Sequence, residues 1–310
     1  MQITTWPDVP FWEELAAAHP AATFFHSPLW HTIVTGAYPE YGIGTQGFIF
    51  EDGSKAVLPM IQTKKGGLLR GKARLKSSVF RGYGGILAET GVTIAQQEEI
   101  YAYLSGRRAT ITVDTNPFLA TAIQLPQDFV CREDFTQALA LGTDDEAQQK
   151  KLNRGAKSNL CQAKKHGITV RPSASISDMQ AYYRLYQDTL RRWGDQTLFT
   201  YPESFFYDLF SHAGEQVKIW LAEKDATIVA GAVVFYWNRI VSYWHGASHQ
   251  DYFHCYPNNM LHMEIIRHAA WAGYAWYDFG PSGGQEGVVR FKRSFGAAQL
   301  PFISALRRYP

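Results

Sequence analysis

The sequence predicts an α+β fold in two successive units, each built around a mixed, mostly antiparallel sheet. Three observations carry that expectation. Apolar spacing switches along the chain between the repeat of amphipathic helices and the alternation of half-buried strands. Each half runs from helices into a strand, a short turn with an acidic residue and a second strand, over Phe48 to Met60 and again over Trp220 to Phe235. A boundary falls near Gly142, where Thr143-Asp144-Asp145-Glu146 has the pattern of a helix capping box. The expected units are therefore residues 1–142 and 143–310.

In the first unit, Phe11 to His19 and Ser27 to Tyr38 read as short helices, the second opened by a Ser-Pro pair suited to an N-cap and first turn. Gln46 to Phe50 and Lys55 to Gln62 read as strands, joined at the hairpin signal Glu51-Asp52-Gly53-Ser54. Strands are expected at Gly84 to Ala88 and Thr110 to Val113, with a helix over Ile94 to Leu104 between them. The second unit opens with Asp144 to His166, read as one helix closed by Gly167. Leu152, Ala156, Leu160 and Ala163 fall on one face of it; Lys150, Arg154, Lys157, Lys164 and Lys165 gather on the other. The next helix starts at Ser177-Asp178-Met179-Gln180 and carries the stripe Met179, Tyr182, Tyr183, Tyr186, Leu190 and Trp193. Val217 to Ala222, Ile228 to Trp237 and Ile240 to Gly246 then read as consecutive antiparallel strands, with a tight turn at Asn238-Arg239. Asn258 to Ala272 is a helix capped by Gly273, and Tyr274 to Phe279 is the next strand.

Composition narrows the function classes. Lys plus Arg number 30 against 28 Asp plus Glu, a difference of 2, so no global field draws the chain to nucleic acid or membrane; a polyanion would have to meet a local patch. Cys131, Cys161 and Cys255 are scattered without CxxC spacing, which suits a reducing cytoplasm. Met1 to Pro10 lacks the basic and apolar regions of a signal peptide. No run of ~18 apolar residues is present to span a bilayer. The expectation is a cytoplasmic protein, monomer or dimer, without stable membrane insertion.

The chemistry concentrates in Tyr277-Asp278-Phe279-Gly280-Pro281-Ser282-Gly283-Gly284 and the following Arg290-Phe291-Lys292-Arg293-Ser294-Phe295-Gly296. A strand ends on an aspartate and opens into a glycine-rich loop, where backbone approaches a ligand closely. Gly280-Pro281-Ser282-Gly283-Gly284 matches the G-x-S-x-G nucleophile elbow, but that chemistry needs an acid and a histidine after the serine. Beyond Ser282 the chain has no Asp and no His, and no helical pattern is read there. His245, His249, His254, His262 and His268 are dense, yet there is no HExxH, and His262 and His268 do not share a helix face. No metal and no cofactor are expected.

From Lys151 onward an ordered series of motifs resembles the Fem-type aminoacyltransferases, a branch of the GNAT acyltransferase superfamily built from tandem GNAT-type folds. Lys151-Leu152-Asn153-Arg154, Ala156-Lys157 and Ala163-Lys164-Lys165-His166-Gly167-Ile168 are similar to the family's K-L-x-R-x-x-R-K-A-x-K-x-G-I segment. The Tyr183 to Gly194 helix, with Thr189, Arg191 and Arg192, looks like its substrate-side helix. Tyr256-Pro257-Asn258 to Leu261 looks like the start of its long helix. Asp278-Phe279-Gly280 and Phe291-Lys292-x-x-Phe295-Gly296 complete the pattern. The resemblance spans roughly residues 148–297; the first half matches weakly, chiefly at Phe25-His26-Ser27-Pro28-x-Trp30, and reads as a degenerate copy of the same unit.

That resemblance implies transfer of an aminoacyl or acyl group to an amine, such as one on a cell-wall or polysaccharide precursor, with aminoacyl-tRNA or acyl-CoA as donor. Lys292 is the expected catalytic cation, steadying the oxyanion of acyl transfer. Asp278 is expected to orient it or to accept the amine proton, unless it caps its own loop. Arg191, Arg192, Tyr243, His245, Tyr256, Asn258, Asn259, Ser282, Arg290 and Phe291 are the expected substrate contacts, and Lys150, Arg154 and Lys157 the donor contacts. One departure weighs on the donor. CoA-dependent relatives place a Q/R-x-x-G-x-G/A loop before the long helix, whereas Ala247-Ser248-His249-Gln250-Asp251-Tyr252-Phe253-His254-Cys255-Tyr256-Pro257 contains no glycine. The alternatives are a CoA-dependent N-acetyltransferase and a non-catalytic protein binding anionic glycan or RNA through the lysine-rich helix face.

Overall fold

Two compact units make up the chain, and the cut between them lies inside a strand. The computed structural model describes residues 1–63, 73–89, 91–119, 125–142, 145–194, 199–212 and 214–309. Unit 1 comprises residues 1–136 and 300–310, and unit 2 residues 137–299.

Unit 1 runs β1 (Gln2–Thr5), α1 (Trp12–Ala18), α2 (Pro28–Ala37), β2 (Tyr41–Ile43), β3 (Gln46–Ile49), β4 (Lys55–Leu58), β5 (Ile61–Thr63), β6 (Arg74–Lys76), β7 (Leu87–Ala88), α3 (Ile94–Ser105) and β8 (Thr110–Asp114). Strand β9 (Val130–Ala140) then leads across the boundary. Ser27 caps α2 as expected, its side chain accepting from Trp30 N, with Pro28 in the first turn. The expected strand over Lys55 to Gln62 is two strands. Pro59 has no N–H to give a ladder, and there the chain passes from one sheet (β1-β3-β4-β7) to another (β8-β6-β5-β2). The expected strand at Gly84 to Ala88 shrinks to Leu87–Ala88. Ile100, Tyr101 and Leu104 of α3 pack with Leu75, Ile111, Val113 and Ala305 in the unit's core.

Unit 2 continues with α4 (Asp145–Lys151), α5 (Arg154–Lys165), β10 (Thr169–Pro172), α6 (Ile176–Trp193), α7 (Glu203–His212), β11 (Val217–Lys224), β12 (Thr227–Trp237), β13 (Ile240–Ser248), α8 (Pro257–Trp271), β14 (Trp276–Pro281) and α9 (Glu286–Ser294). The helix expected over Asp144 to His166 is broken. Asn153 interrupts it and caps α5 by accepting from Ala156 N; Thr143 and Asp144 lie outside the described residues. The start of α6 is two residues earlier than expected, with Ser175 as the cap accepting from Asp178 N. Its buried stripe is Met179, Tyr182, Leu185, Tyr186 and Thr189, while Trp193 is exposed.

The unit's strand order is β10-β11-β12-β13-β14. β10 to β13 are antiparallel, as read from the sequence, and β13 pairs with β14 in parallel across α8. Alternation along β12 sorts the two faces: Ala230, Ala232, Val234 and Tyr236 join the core containing α5 and α8 residues. Gly231, on the other face, lies against Tyr182 of α6 so closely that a Cβ would stand 2.6 Å from its ring.

The division expected at 142/143 placed the last strand in the second unit. Strand β15 (Ala298–Arg307) instead pairs antiparallel with β8, from Ser304↔Asp114 to Arg307↔Ile111, and residues 300–310 belong to unit 1.

Candidate active site

The site forms where β13 and β14 part. Their parallel register holds at Ile240↔Trp276, Val241↔Tyr277 and Ser242↔Asp278 and extends no further, although β13 runs on to Ser248 and β14 to Pro281. Asp278 is 1% exposed and its Oδ1 accepts the Gly280 N–H at 2.9 Å. Gly280 follows at φ +73°, a conformation that a side chain strains. This is the loop-capping role weighed for Asp278 in the sequence.

The glycine loop is shorter than expected. Arg290, Phe291 and Lys292 lie on α9, not on a loop, and a helix does follow Ser282. Four glycines between 280 and 287 hid it, although Val288, Phe291, Lys292 and Phe295 recur at helical spacing. That period turns Lys292 inward, 4% exposed, and leaves Arg293 outside. Lys292 Nζ donates to the Gly280 carbonyl at 2.6 Å and to the Pro281 carbonyl at 3.1 Å. The helix thus fixes a cation at the end of β14.

Around this cation the structure assembles residues that the sequence did not single out. His262 of α8 is buried, with Nδ1 2.8 Å from the Tyr277 hydroxyl. Its ring centroid is 4.7 Å from Tyr243, 5.1 Å from Phe279 and 5.4 Å from Phe291. Burial, reinforced by the nearby Lys292 charge, depresses the His262 pKa to about 3, and burial holds the Tyr277 phenol well above its usual value. Both groups are neutral at ordinary pH. In the sequence His262 was weighed only as a metal ligand with His268. His268 instead packs its ring against Trp220 and Tyr236.

A β-bulge sorts Tyr243 from His245. Val233 pairs with His245 and Val234 with Tyr243, so Trp244 is the extra residue. Two residues apart on a regular strand, Tyr243 and His245 would share a face; here they take opposite ones. Tyr243 packs with the α8 core, and a side chain at Gly246 would overlap its hydroxyl. His245 packs instead on α6, its Nδ1 2.5 Å from the Tyr182 hydroxyl and its ring 4.6 Å from Tyr186.

The other expected contacts divide further. Tyr256 adopts φ +56° to start α8, followed by Pro257 in the first turn. Asn259 is buried, and Asn258 Nδ2 donates to Ser248 Oγ at 3.1 Å. Arg192 joins this group: it donates to the Ser248 carbonyl at 3.1 Å and lies 5.1 Å from the Phe253 ring centroid. Arg191 is exposed and pairs with Asp188. Ser282 Oγ donates to Gln137 Oε1 at 3.0 Å, and Gln137 Nε2 to the Val289 carbonyl at 3.1 Å, a clamp that ties the loop to α9. Arg290 is exposed and pairs with Glu286 at 3.3 Å. Lys150 lies in the last turn of α4 and pairs with Glu146 at 2.9 Å, whereas Arg154 and Lys157 are exposed on α5. The helix break therefore divides the expected basic face.

The turn before α8 is bonded largely to itself. Residues 250–255 form a 3-10 turn in which the Tyr252 and Tyr256 N–H groups donate to His249 and Phe253 carbonyls. Asn259 and Met260 N–H both donate to the Tyr256 carbonyl, and Pro257 has no N–H. An anion held at this helix start would have to compete with these bonds.

Residues 148–293 match the acetyltransferase (GNAT) domain family. The second unit is a GNAT acyltransferase domain. No curated protein sequence matches the chain. Among solved structures, FemX superposes with a TM-score of 0.70 at 15% identity, covering 98% of this chain and 97% of FemX. The C-terminal domain of a putative lysylphosphatidylglycerol synthetase from Agrobacterium fabrum gives 0.59 at 13% identity, covering 89% and 86%. A tandem GNAT protein from the clavulanic acid biosynthesis pathway gives 0.52 at 9% identity, covering 98% and 97%. The resemblance read from the sequence holds at the level of the GNAT domain and of the fold: the chain has an α+β architecture that superposes on FemX and on a tandem GNAT protein. The fold implies an acyl donor and an amine acceptor. Among the described residues no helix is long and apolar enough to cross a membrane.

Proposed function

We propose that this GNAT protein is a Fem-like aminoacyltransferase, moving an aminoacyl group from aminoacyl-tRNA to an amine on a cell-wall or polysaccharide precursor in the cytoplasm. The observation that carries this reading is Lys292, buried and anchored on the Gly280 and Pro281 carbonyls within the Phe-Lys-x-x-Phe-Gly motif. In the reaction the neutral acceptor amine attacks the ester carbonyl. The C–N bond forms and the tetrahedral oxyanion develops beside the Lys292 ammonium, whose fixed charge lowers the barrier. The ester C–O bond then breaks, and the amine proton ends on the released ribose hydroxyl. No protein nucleophile is required. Asp278 keeps the loop in shape by holding Gly280 N. The glycine-free, internally bonded turn before α8 supports an RNA-borne donor over CoA.

The test offers the protein a mixed pool of charged tRNA or acetyl-CoA, each with amine-bearing precursors, and follows the acceptor by mass spectrometry. Transfer from tRNA with none from acetyl-CoA is the expected result. Acetylation with inert tRNA would replace this reading with the CoA-dependent one.

A further inference from the structure

Unit 1 carries a concentration of positive charge that the transfer chemistry does not use. On β8, Ile111 and Val113 turn into the core, so Thr110 and Thr112 face the opposite side of the sheet. The parallel register of β6 places Arg74 beside Thr110 and Lys76 beside Thr112. Both cations are exposed, as is Arg308 just after β15. A cavity of about 410 Å³ opens here, lined by Arg74, Lys76, Arg308, the two threonines and Tyr309. A second of about 340 Å³ shares Arg74 and adds Arg107 and Arg108 from the turn before β8. Among the described residues, five cations and no carboxylate line the two. Asp128 pairs with Arg307 at 2.7 Å, and Asp114, farther along β8, has its pKa raised by burial.

We propose that this face binds a soluble small molecule bearing a diphosphate group. Guanidinium forks bind phosphate oxygens in pairs and a lysine adds a point charge, while threonine and tyrosine hydroxyls supply further donors. Positions two apart on a strand are ~6.7 Å apart, so Arg74 and Lys76 approach from separated points, and Arg308 comes from the end of β15, on the other side of β8 from β6. That spread suits more than a single phosphate. The volume falls in the ~300–1,000 Å³ range of small-ligand clefts. Other phosphate carriers fit less well. Single-stranded RNA is held on successive aromatic platforms, and a membrane surface on a broad apolar face; among the described residues here, Tyr309 is the one aromatic and Leu306 the one large aliphatic lining the first cavity.

Titration calorimetry of the whole chain at low salt, with inorganic pyrophosphate and then inorganic phosphate, tests the proposal. Saturable one-site binding of pyrophosphate, at least about tenfold tighter than phosphate, is expected. The double substitution Arg74→Glu with Lys76→Glu is expected to weaken it at least tenfold, whereas Arg184→Glu, exposed on α6 in unit 2, leaves it unchanged. Because Arg74 and Lys76 are exposed, the double variant should keep its thermal midpoint without ligand, which separates lost binding from lost folding. Absence of saturation, equal affinity for phosphate, or unaltered binding by the double variant overturns the proposal. So does binding of a short oligoribonucleotide, or of phosphatidylglycerol vesicles, that requires Arg74 and Lys76 and is not displaced by pyrophosphate.

Discussion

A lysine at 4% exposure whose ammonium rests on two carbonyls has two possible uses, holding the loop and placing a charge. Substitution separates them. Lys292→Met keeps the aliphatic stem and leaves the Gly280 and Pro281 carbonyls without their donor, a loss of about 1–3 kcal/mol in stability. If the charge also meets the oxyanion, kcat falls by on the order of 10²-fold while acceptor affinity changes little. Lys292→Arg restores part of the rate, since a planar fork cannot occupy the place of a point ammonium. Arg293→Met is the control: Arg293 is exposed on the same turn of α9 and its loss should be nearly silent. Single-turnover rates beside thermal midpoints decide between the uses. A Lys292→Met enzyme of lower midpoint but unchanged rate would reduce the lysine to a loop anchor. Lys292 was legible in the sequence because its neighbours form a motif. His262 was not, because a lone helix histidine reveals neither burial nor a tyrosine partner fifteen residues away.

At the scale of elements, the sequence was most legible where periodicity and punctuation agree. Strands β11 to β13, the Asn238-Arg239 turn and the α8–Gly273 stop all show it. Legibility failed where one signal overrode another. Continuous amphipathic spacing hid the cap at Asn153, glycines hid α9, and the charged start of β9, exposed over its first residues, shows no alternation. The α4–α5 break carries two predictions. Gly296, at φ +87°, faces Lys151 so closely that a Cβ would stand 2.8 Å from its Cβ and 3.0 Å from its carbonyl. Gly296→Ala should therefore lower stability by roughly 1–3 kcal/mol, whereas Gly287→Ala, in open space on α9, should be neutral or slightly stabilising. Denaturant midpoints measure both, and equal midpoints would refute the close approach. The second prediction concerns the donor. Arg154→Glu with Lys157→Glu should weaken tRNA binding with a shallower salt dependence, because fewer counterions are released. Lys150→Glu, on a separate helix and already paired with Glu146, should matter less. Filter binding over a salt series distinguishes them, and an unchanged slope would remove α5 from the donor surface.

On the scale of the whole molecule, three buried histidines couple stability to pH. His26 is satisfied as a neutral ring: Nε2 donates to the Gly84 carbonyl at 2.9 Å, and Nδ1 accepts from Thr23 N at 3.1 Å. His31 Nδ1 donates to the Ser27 carbonyl at 3.0 Å, and its ring meets the Trp12 indole edge-on at 4.9 Å. Burial depresses both pKa values to about 4, and that of His262 in unit 2 to about 3. An unfolded chain titrates its histidines near the ordinary value of about 6.5. Below that pH the unfolded state takes up protons that the folded state refuses, so stability falls as pH falls. Above about 6.5 none of the three contributes a slope. Between about 6.5 and 4 each costs about 1.4 kcal/mol per pH unit, and below about 4 only His262 continues, down to about 3. Unit 1 holds two of the three, so its share of the slope is twice that of unit 2. The expected outcome is an unfolding free energy that is flat from pH 8 to 7 and declines steadily toward pH 4.5, well above the range where ordinary carboxylates titrate. Urea unfolding at each pH measures it, with His26→Asn and His31→Asn as probes. Each substitution costs stability at pH 7.5 by disturbing a packed site, yet should reduce the slope by about one histidine's worth. A slope unchanged in both variants would show that these rings already accept protons in the folded state.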